Sequence, residues 1–172
     1  MSDVEYIIET TDLSKSYGPH LALENLNLKI RKGATGLLGP NGAGKSTFLK
    51  TILGLIQATS GHGTVLGHDI RTEGAAIRSR IGYMPEYDAL NPDMEAIHQV
   101  KYSGELLGMN PIVAMSRAHE VLQYVGLGEQ RYRNIGSFST GMKQATKLAC
   151  SIIHDPESVS YTHLTLPTNP EV

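Results

Sequence analysis

The 172-residue chain is poor in features that would place it in several large protein classes. It has one cysteine, Cys150, so no internal disulfide can form and a disulfide-stapled secreted scaffold is excluded. Cys150 lies in an apolar helical stretch and reads as a small core residue, not a nucleophile. Charge imbalance is slight: 15 Lys and Arg stand against 17 Asp and Glu, for a net charge of −2. Bulk charge therefore gives no reason to expect a nucleic-acid partner. No apolar run approaches the roughly 18 residues needed to span a bilayer. The opening Met1-Ser2-Asp3-Val4-Glu5 is acidic and lacks the basic and apolar regions of a signal peptide, so the expectation is an intracellular protein. The histidines (His20, His62, His68, His98, His119, His154 and His163) show no metal-site spacing with cysteines or carboxylates. There is no internal repeat or low-complexity segment. At 40% hydrophobic and 19% charged, the composition is globular, and the length suits one domain with a sizeable core.

Against that plain background one stretch stands out: Gly39-Pro40-Asn41-Gly42-Ala43-Gly44-Lys45-Ser46-Thr47. It fits G-x-x-x-x-G-K-[ST], a loop that cradles nucleotide phosphates. Glycines let the backbone turn its N–H groups onto phosphate oxygens, and the N-terminus of a following helix adds donors and partial positive charge. Lys45 can act as a point charge at the β- and γ-phosphates, and the Ser46 hydroxyl is a hard oxygen ligand suited to Mg²⁺. The flanks agree with the pattern. Ala34-Thr35-Gly36-Leu37-Leu38 reads as a short buried strand, and Lys45 to about Gln57 as a helix with apolar positions at 48, 49, 52, 53, 55 and 56.

Elsewhere Tyr6-Ile7-Ile8 reads as a strand, and Leu26, Leu28 and Ile30 alternate with polar residues as a strand with one buried face. Asp12 to Pro19 reads as a connection ending in a turn. Ser60 to Ile70 is Gly-rich with short β-prone pieces, Ala75–Arg80 suits a short helix, and Ile81-Gly82-Tyr83-Met84 a buried strand. From about Asn91 the pattern turns helical. Asp93 is a candidate N-cap for a helix to Leu107, a second amphipathic helix carries Met115 to Val125, and a third runs from Met142 to about His154.

Four motifs in order resemble the ATP-binding subunit of an ABC transporter: Tyr17 before Gly18, the loop Gly39–Thr47, Ile81-Gly82-Tyr83-Met84-Pro85-Glu86, and Phe138-Ser139-Thr140-Gly141-Met142-Lys143-Gln144. The resemblance runs from about Tyr6 to Glu157. It implies an α/β fold, a P-loop NTPase core of ABC type with an antiparallel β edge and an α-helical subdomain. Domain boundaries then fall at 1–90 for the nucleotide-binding core and 91–157 for the helical part. The resemblance assigns Tyr17 to stacking on adenine, and Gly39, Pro40, Asn41, Gly42, Ala43, Gly44, Lys45, Ser46 and Thr47 to the phosphates. Lys45 and Glu86 become the catalytic candidates, with Ser46 and Glu86 as Mg²⁺ ligands. Ser139, Thr140, Gly141, Met142 and Gln144 form a signature sequence that meets the ATP of an opposite subunit. Glu86 stands where the family usually has Gln, and Thr140, Met142 and Ala145 also depart from the usual signature. The Ser-Thr-Gly-Met-Lys-Gln form is similar to export-type subunits that work with ABC-2 permeases.

The implied partners are an integral-membrane permease and a second ATP-binding subunit, as homodimer or heterodimer, with ATP and Mg²⁺ bound and no nucleic acid. The implied location is the cytoplasmic face of the membrane. In the family Asp-Pro-Glu, here Asp155-Pro156-Glu157, leads into an apolar strand ending in Asp-Glu, and a later loop carries a sensing His. Residues 158–172 hold no such pattern, and Pro167 and Pro170 argue against a central strand. The expectation is a fold left incomplete, a tail outside the family pattern from Ser158, negligible hydrolysis by this polypeptide, and exposed apolar surface on the Leu37-Leu38 strand and the Thr47–Ile56 helix. A non-catalytic ATP-binding fragment and a non-transport ABC ATPase are the alternatives.

Overall fold

The computed structural model describes residues 6–85, 87 and 89–161, and the chain divides into two compact units between Ser79 and Arg80. The first unit opens with a long hairpin, β1 (Ile8–Tyr17) and β2 (His20–Ile30), joined by Gly18-Pro19. β1 also pairs antiparallel with β3 (Ser60–Val65), which pairs with β4 (His68–Asp69), giving a sheet of order β2-β1-β3-β4. This is the antiparallel edge expected from the sequence.

β1 extends through Asp12–Tyr17, which the sequence suggests is a connection. The reason is a bulge. Register shifts fall between Thr10 and Leu13, and Asp12 and Asn25 take positive φ of 49° and 42°. Side chains cover the backbone groups freed there: the Asp12 N–H donates to Asn27 Oδ1 at 2.9 Å, and the Asn25 N–H to Ser14 Oγ at 2.9 Å. A bulge breaks two-residue periodicity, so no clean alternation marks the strand.

Helix α1 (Lys45–Ile52) packs on β2 and β3 and buries Phe48, Leu49 and Ile52. Of the Thr47–Ile56 surface expected to be exposed, Phe48, Leu49, Ile52 and Leu53 are instead covered, and Leu55, at 47%, is exposed. α1 stops short of Gln57. Gly54 turns at φ 63°, and Arg78, on α2 (Gly74–Arg80), donates from one guanidinium nitrogen to the Leu53 and Gly54 carbonyls at 3.1 and 3.2 Å. A cation at the last carbonyls also opposes the negative end of the helix dipole.

Residues 34–38 are not the buried strand that their composition suggests. They belong to no strand, and Leu38 is 97% exposed. An apolar run becomes a central parallel strand only with hydrogen-bonded neighbours, and no described strand pairs with this segment.

The second unit begins with β5 (Ile81–Met84), parallel to β6 (Ser158–Tyr161). The chain thus continues as strand past Glu157 into the stretch set outside the family pattern; Pro167 and Pro170 lie outside the described residues. Arg80 fixes the register. Its Nε pairs with Glu157 Oε1 at 2.6 Å, and its carbonyl accepts the Glu157 N–H at 2.9 Å.

Three helices fill the rest: α3 (Ala96–Leu106), α4 (Pro111–Tyr124) and α5 (Thr140–Ile152). Ile97, Val100, Val121, Leu122, Ile135, Phe138 and Ile153 are at the centre of their shared core. Burying each such side chain is worth about 1.5–3 kcal/mol. α4 has a side-chain cap, with Asn110 Oδ1 accepting from the Ile112 N–H at 2.9 Å and Pro111 in the first turn. Asp93 does not cap α3. That helix starts at Ala96, and the Ala96 and Ile97 N–H groups donate to the carbonyls of Arg133 and Arg131. The loop ahead of α5 therefore does the capping, a long-range solution with no local signal. Among the described residues no helix is long and apolar enough to cross a membrane.

His154, just past α5, has both ring nitrogens buried without a hydrogen-bond partner among the described residues. Burial pushes its pKa below the ordinary 6.5, against weaker opposing effects of the Ile81 backbone and Asp155. The folded ring is neutral where the unfolded ring takes a proton. Its contribution to stability is complete above about pH 6.5 and is lost as the pH falls toward the depressed folded pKa. Urea midpoints between pH 7.5 and 5.5 should therefore fall more steeply for the wild-type chain than for His154→Leu. Parallel slopes would show that His154 is not a source of acid sensitivity.

Candidate functional site

The site is built on the junction of the loop and α1. Residues 31–43 are all exposed, and burial begins only at Gly44. Gly42 and Gly44 take φ of 85° and 84°, the left-handed region open to glycine. Gly44 is constrained a second way, because a Cβ there would collide with the Ala22 carbonyl oxygen and press on Leu23 of β2. At Gly42 a Cβ would meet nothing within 4 Å.

Gly44 is also the N-cap of α1, and it offers no side-chain oxygen to the helix end. The first turn holds no acidic residue. The first helical bond runs from the Phe48 N–H to the Gly44 carbonyl at 2.8 Å. The N–H groups of Lys45, Ser46 and Thr47 precede it and have no acceptor within the helix. Most helices cover such groups with Ser, Thr, Asp or Asn, or neutralise them with nearby carboxylates. This one presents them beside an exposed loop, the arrangement that suits an anion.

Lys45 leans back over the loop and donates to the carbonyls of Gly39 and Pro40 at 2.7 and 2.8 Å. An ammonium has three donors, so this tether holds the charge over the loop with one donor to spare. The Ala43 N–H donates to the Pro40 carbonyl at 3.2 Å and closes a turn inside the loop. Ser46 and Thr47 are half-buried. The Thr47 carbonyl accepts from Thr51 Oγ1 at 2.7 Å.

Tyr17 lies at the end of β1, 48% exposed, with the Lys15 ammonium 5.0 Å from its ring centroid. It pairs with His20, two residues before Ala22, whose carbonyl abuts Gly44. Two strand residues span roughly 7 Å, so the first unit brings Tyr17 and the phosphate loop to one end of β2.

The second unit holds the remaining candidates. Ser139 is the N-cap of α5, its Oγ accepting the Met142 N–H at 3.3 Å, and its hydroxyl hydrogen remains able to donate. Thr140 and Gly141 are exposed, Gln144 is half-buried, and Met142 packs against the helical core. No acid occupies the first turn of α5. Glu86 lies outside the described residues. Cys150 packs partly buried against the core, and burial pushes its thiol up to about 11, which suits the core role expected of it. Sequence reasoning misses Arg78 at the end of α1 and the contact of Gly44 with Ala22. Neither has a local signal, since both depend on elements distant in the chain.

A family model described as ABC transporter matches residues 23–159. The linearmycin resistance ATP-binding protein LnrL of Bacillus subtilis (strain 168) is 36% identical over 166 residues, covering 96% of this chain and 53% of that protein. The bacitracin transport ATP-binding protein BcrA of Bacillus licheniformis is 36% identical over 152 residues, covering 88% and 49%. The chain thus spans about half the length of the curated relatives it matches. Among solved structures, cbiO1 from Clostridium perfringens, described as part of an ABC transporter complex, superposes with a TM-score of 0.79 at 21% identity. It covers 91% of this chain and 65% of that one. A structure described as an ATP binding subunit of an ABC transporter gives a TM-score of 0.76 at 26% identity, covering 90% and 65%.

The two glycines can be separated experimentally. Gly42→Ala places a side chain in open space and should cost only the backbone strain, about 1 kcal/mol. Gly44→Ala adds a collision with β2 and should cost about 3 kcal/mol or more. Thermal melts of both variants test this, and equal losses would show that the Ala22 contact is not the constraint.

Proposed function

The chain belongs to the ABC transporter family, and from that membership we propose that Gly39–Thr47 binds the phosphates of ATP while Tyr17 stacks on the adenine. The observation that carries this reading is the uncapped, acid-free start of α1 beside the tethered Lys45 ammonium. The first-turn N–H groups and Lys45 neutralise phosphate charge without a further rearrangement of the backbone. Ser46 and Glu86 supply oxygen donors of the kind Mg²⁺ takes. When bound, Mg²⁺ supplies further charge neutralisation at the terminal phosphates.

In this reading Ser139, Thr140, Gly141 and Gln144 face the ATP of a second ATP-binding subunit. Both loop–helix junctions are free of first-turn acid, which supports two separate anion-facing helix ends. The whole protein then couples ATP hydrolysis to export through a membrane permease, from the cytoplasmic face. Relatives named for linearmycin resistance and bacitracin transport support an exporter.

A second reading concerns this polypeptide alone: it binds ATP without steady turnover. β6 reads Ser-Val-Ser-Tyr and is followed by Thr162-His163, where the family carries Asp-Glu to hold the metal and polarise water. Among the described residues no strand pairs with 34–38, the segment that leads into the loop.

Equilibrium binding of labelled ATP, together with phosphate release, tests both readings. Binding should be favoured by Mg²⁺ and weakened at least about tenfold by Lys45→Ala, a loss of about 1.4 kcal/mol, with phosphate release at background. Binding indifferent to Lys45→Ala would sink the site assignment. Steady phosphate release would sink the second reading only.

A further inference from the structure

Lys15 and Tyr17 are two residues apart on β1, a spacing that puts both side chains on one face of the strand. The Lys15 ammonium lies over one face of the Tyr17 ring, 5.0 Å from its centroid, while about half of the tyrosine is open to solvent. β2 is irregular at this point. Lys15 pairs with Leu23 and Ser16 with Leu21, which leaves Ala22 as an extra residue. A bulge of this kind re-aims the chain around it. The extra residue is the one whose carbonyl abuts Gly44, and Leu23, directly across from Lys15, borders Gly44 as well. Lys15 is therefore held one cross-strand step from a residue that touches the start of α1, entirely within the first unit. The phosphate reading does not use this lysine.

We propose that Lys15 is a positioning residue for the nucleotide base: its ammonium occupies one face of the Tyr17 ring, orders the ring, and leaves the opposite face to a purine. The inference rests on the reading of Tyr17 as the adenine-stacking residue. An aromatic ring presents a negative face to a cation, so the contact is attractive. The cation draws ring electron density toward itself, and the face left open then repels the π cloud of a stacked base less. A tyrosine ordered in advance also loses less rotamer freedom when the base arrives. The charge of Lys15 attracts phosphate in general. A ligand with phosphates and no base therefore separates that general attraction from a role at the ring.

The test measures, on the full chain, binding of labelled ATP and its displacement by inorganic tripolyphosphate. The ratio of the two affinities reads the worth of the base, and a loss of loop structure that weakens both ligands alike does not move it. The ratio should fall about threefold in Lys15→Met, which keeps the stem, and stay near the wild-type value in Lys15→Arg, which keeps the charge. Lys15→Gln replaces the first variant should that one fail to fold. In Tyr17→Leu the ratio should already be low, and adding Lys15→Met should lower it no further. An unchanged ratio in Lys15→Met, with ATP still preferred by the wild-type chain, would overturn the proposal and leave the stacking reading standing. An equal loss for both ligands would make Lys15 a general phosphate charge and would also overturn it. So would a further fall in the ratio when Lys15→Met is added to Tyr17→Leu, since the lysine would then act without the ring. A wild-type chain that binds ATP no better than tripolyphosphate would refute the stacking reading itself, and the proposal with it.

Discussion

The close approach of Gly44 to the Ala22 carbonyl is the contact on which the first unit depends. It joins the end of the phosphate loop, the start of α1 and the first residues of β2 at one backbone position. Any side chain there would push α1 off the sheet. The same glycine leaves the helix end without a capping oxygen, so the packing constraint and the uncapped helix end are two consequences of one residue without a side chain. Helix stability is recovered at the other end, where Arg78 occupies the last carbonyls. α1 thus has a bare N-terminus and a reinforced C-terminus, a distribution that keeps donors available for phosphate.

The second unit is held by polar clamps around an apolar centre. Arg80 fastens Glu157 through both backbone and side chain and so sets β6 beside β5. Arg117 of α4 donates to the Ile153 carbonyl at 3.3 Å and pairs with Asp155 at 3.4 Å, tying the chain just beyond α5 to its neighbour helix. Lys147 adds a third clamp, from α5 to the loop after β5. The exposed ion pairs among them, Arg80–Glu157 and Arg117–Asp155, contribute little individually, about 0–1 kcal/mol. Their value lies in geometry. Each joins the region of α5 and β6 to an element distant in sequence, while the core of Ile97, Val121, Leu122 and Ile153 supplies the burial.

What was legible in the sequence was whatever local chemistry dictates. The loop Gly39–Thr47 demands glycine at turns and lysine at phosphate, so it was readable without a structure. Helices α4 and α5 declared themselves by period, while their caps, Asn110 and Ser139, came with the structure. Legibility failed where pairing is remote. The bulge at Asp12 and Asn25 hid half of β1. The carbonyls that cap α3 come from Arg131 and Arg133, so Asp93 was a reasonable but wrong candidate. Arg78, Gly44 against Ala22, and Lys147 have roles that appear only when distant segments are brought together.

The segment 34–38 marks the limit of composition as evidence. Alternating and apolar runs predict strands because buried strands have that composition, yet the strand itself exists through hydrogen bonds to neighbours. β5 has the same apolar character and is a strand because β6 lies beside it. Leu37 and Leu38 have no such neighbour among the described strands, and Leu38 stands in solvent. The loop they lead into keeps its turn, its tethered lysine and its helix, since those are fixed by bonds within residues 39–48 and by β2. The geometry of the proposed phosphate cradle is therefore built locally. What a paired 34–38 strand would add is stiffness on the loop's incoming side, which bears on positioning an attacking water more than on holding a phosphate.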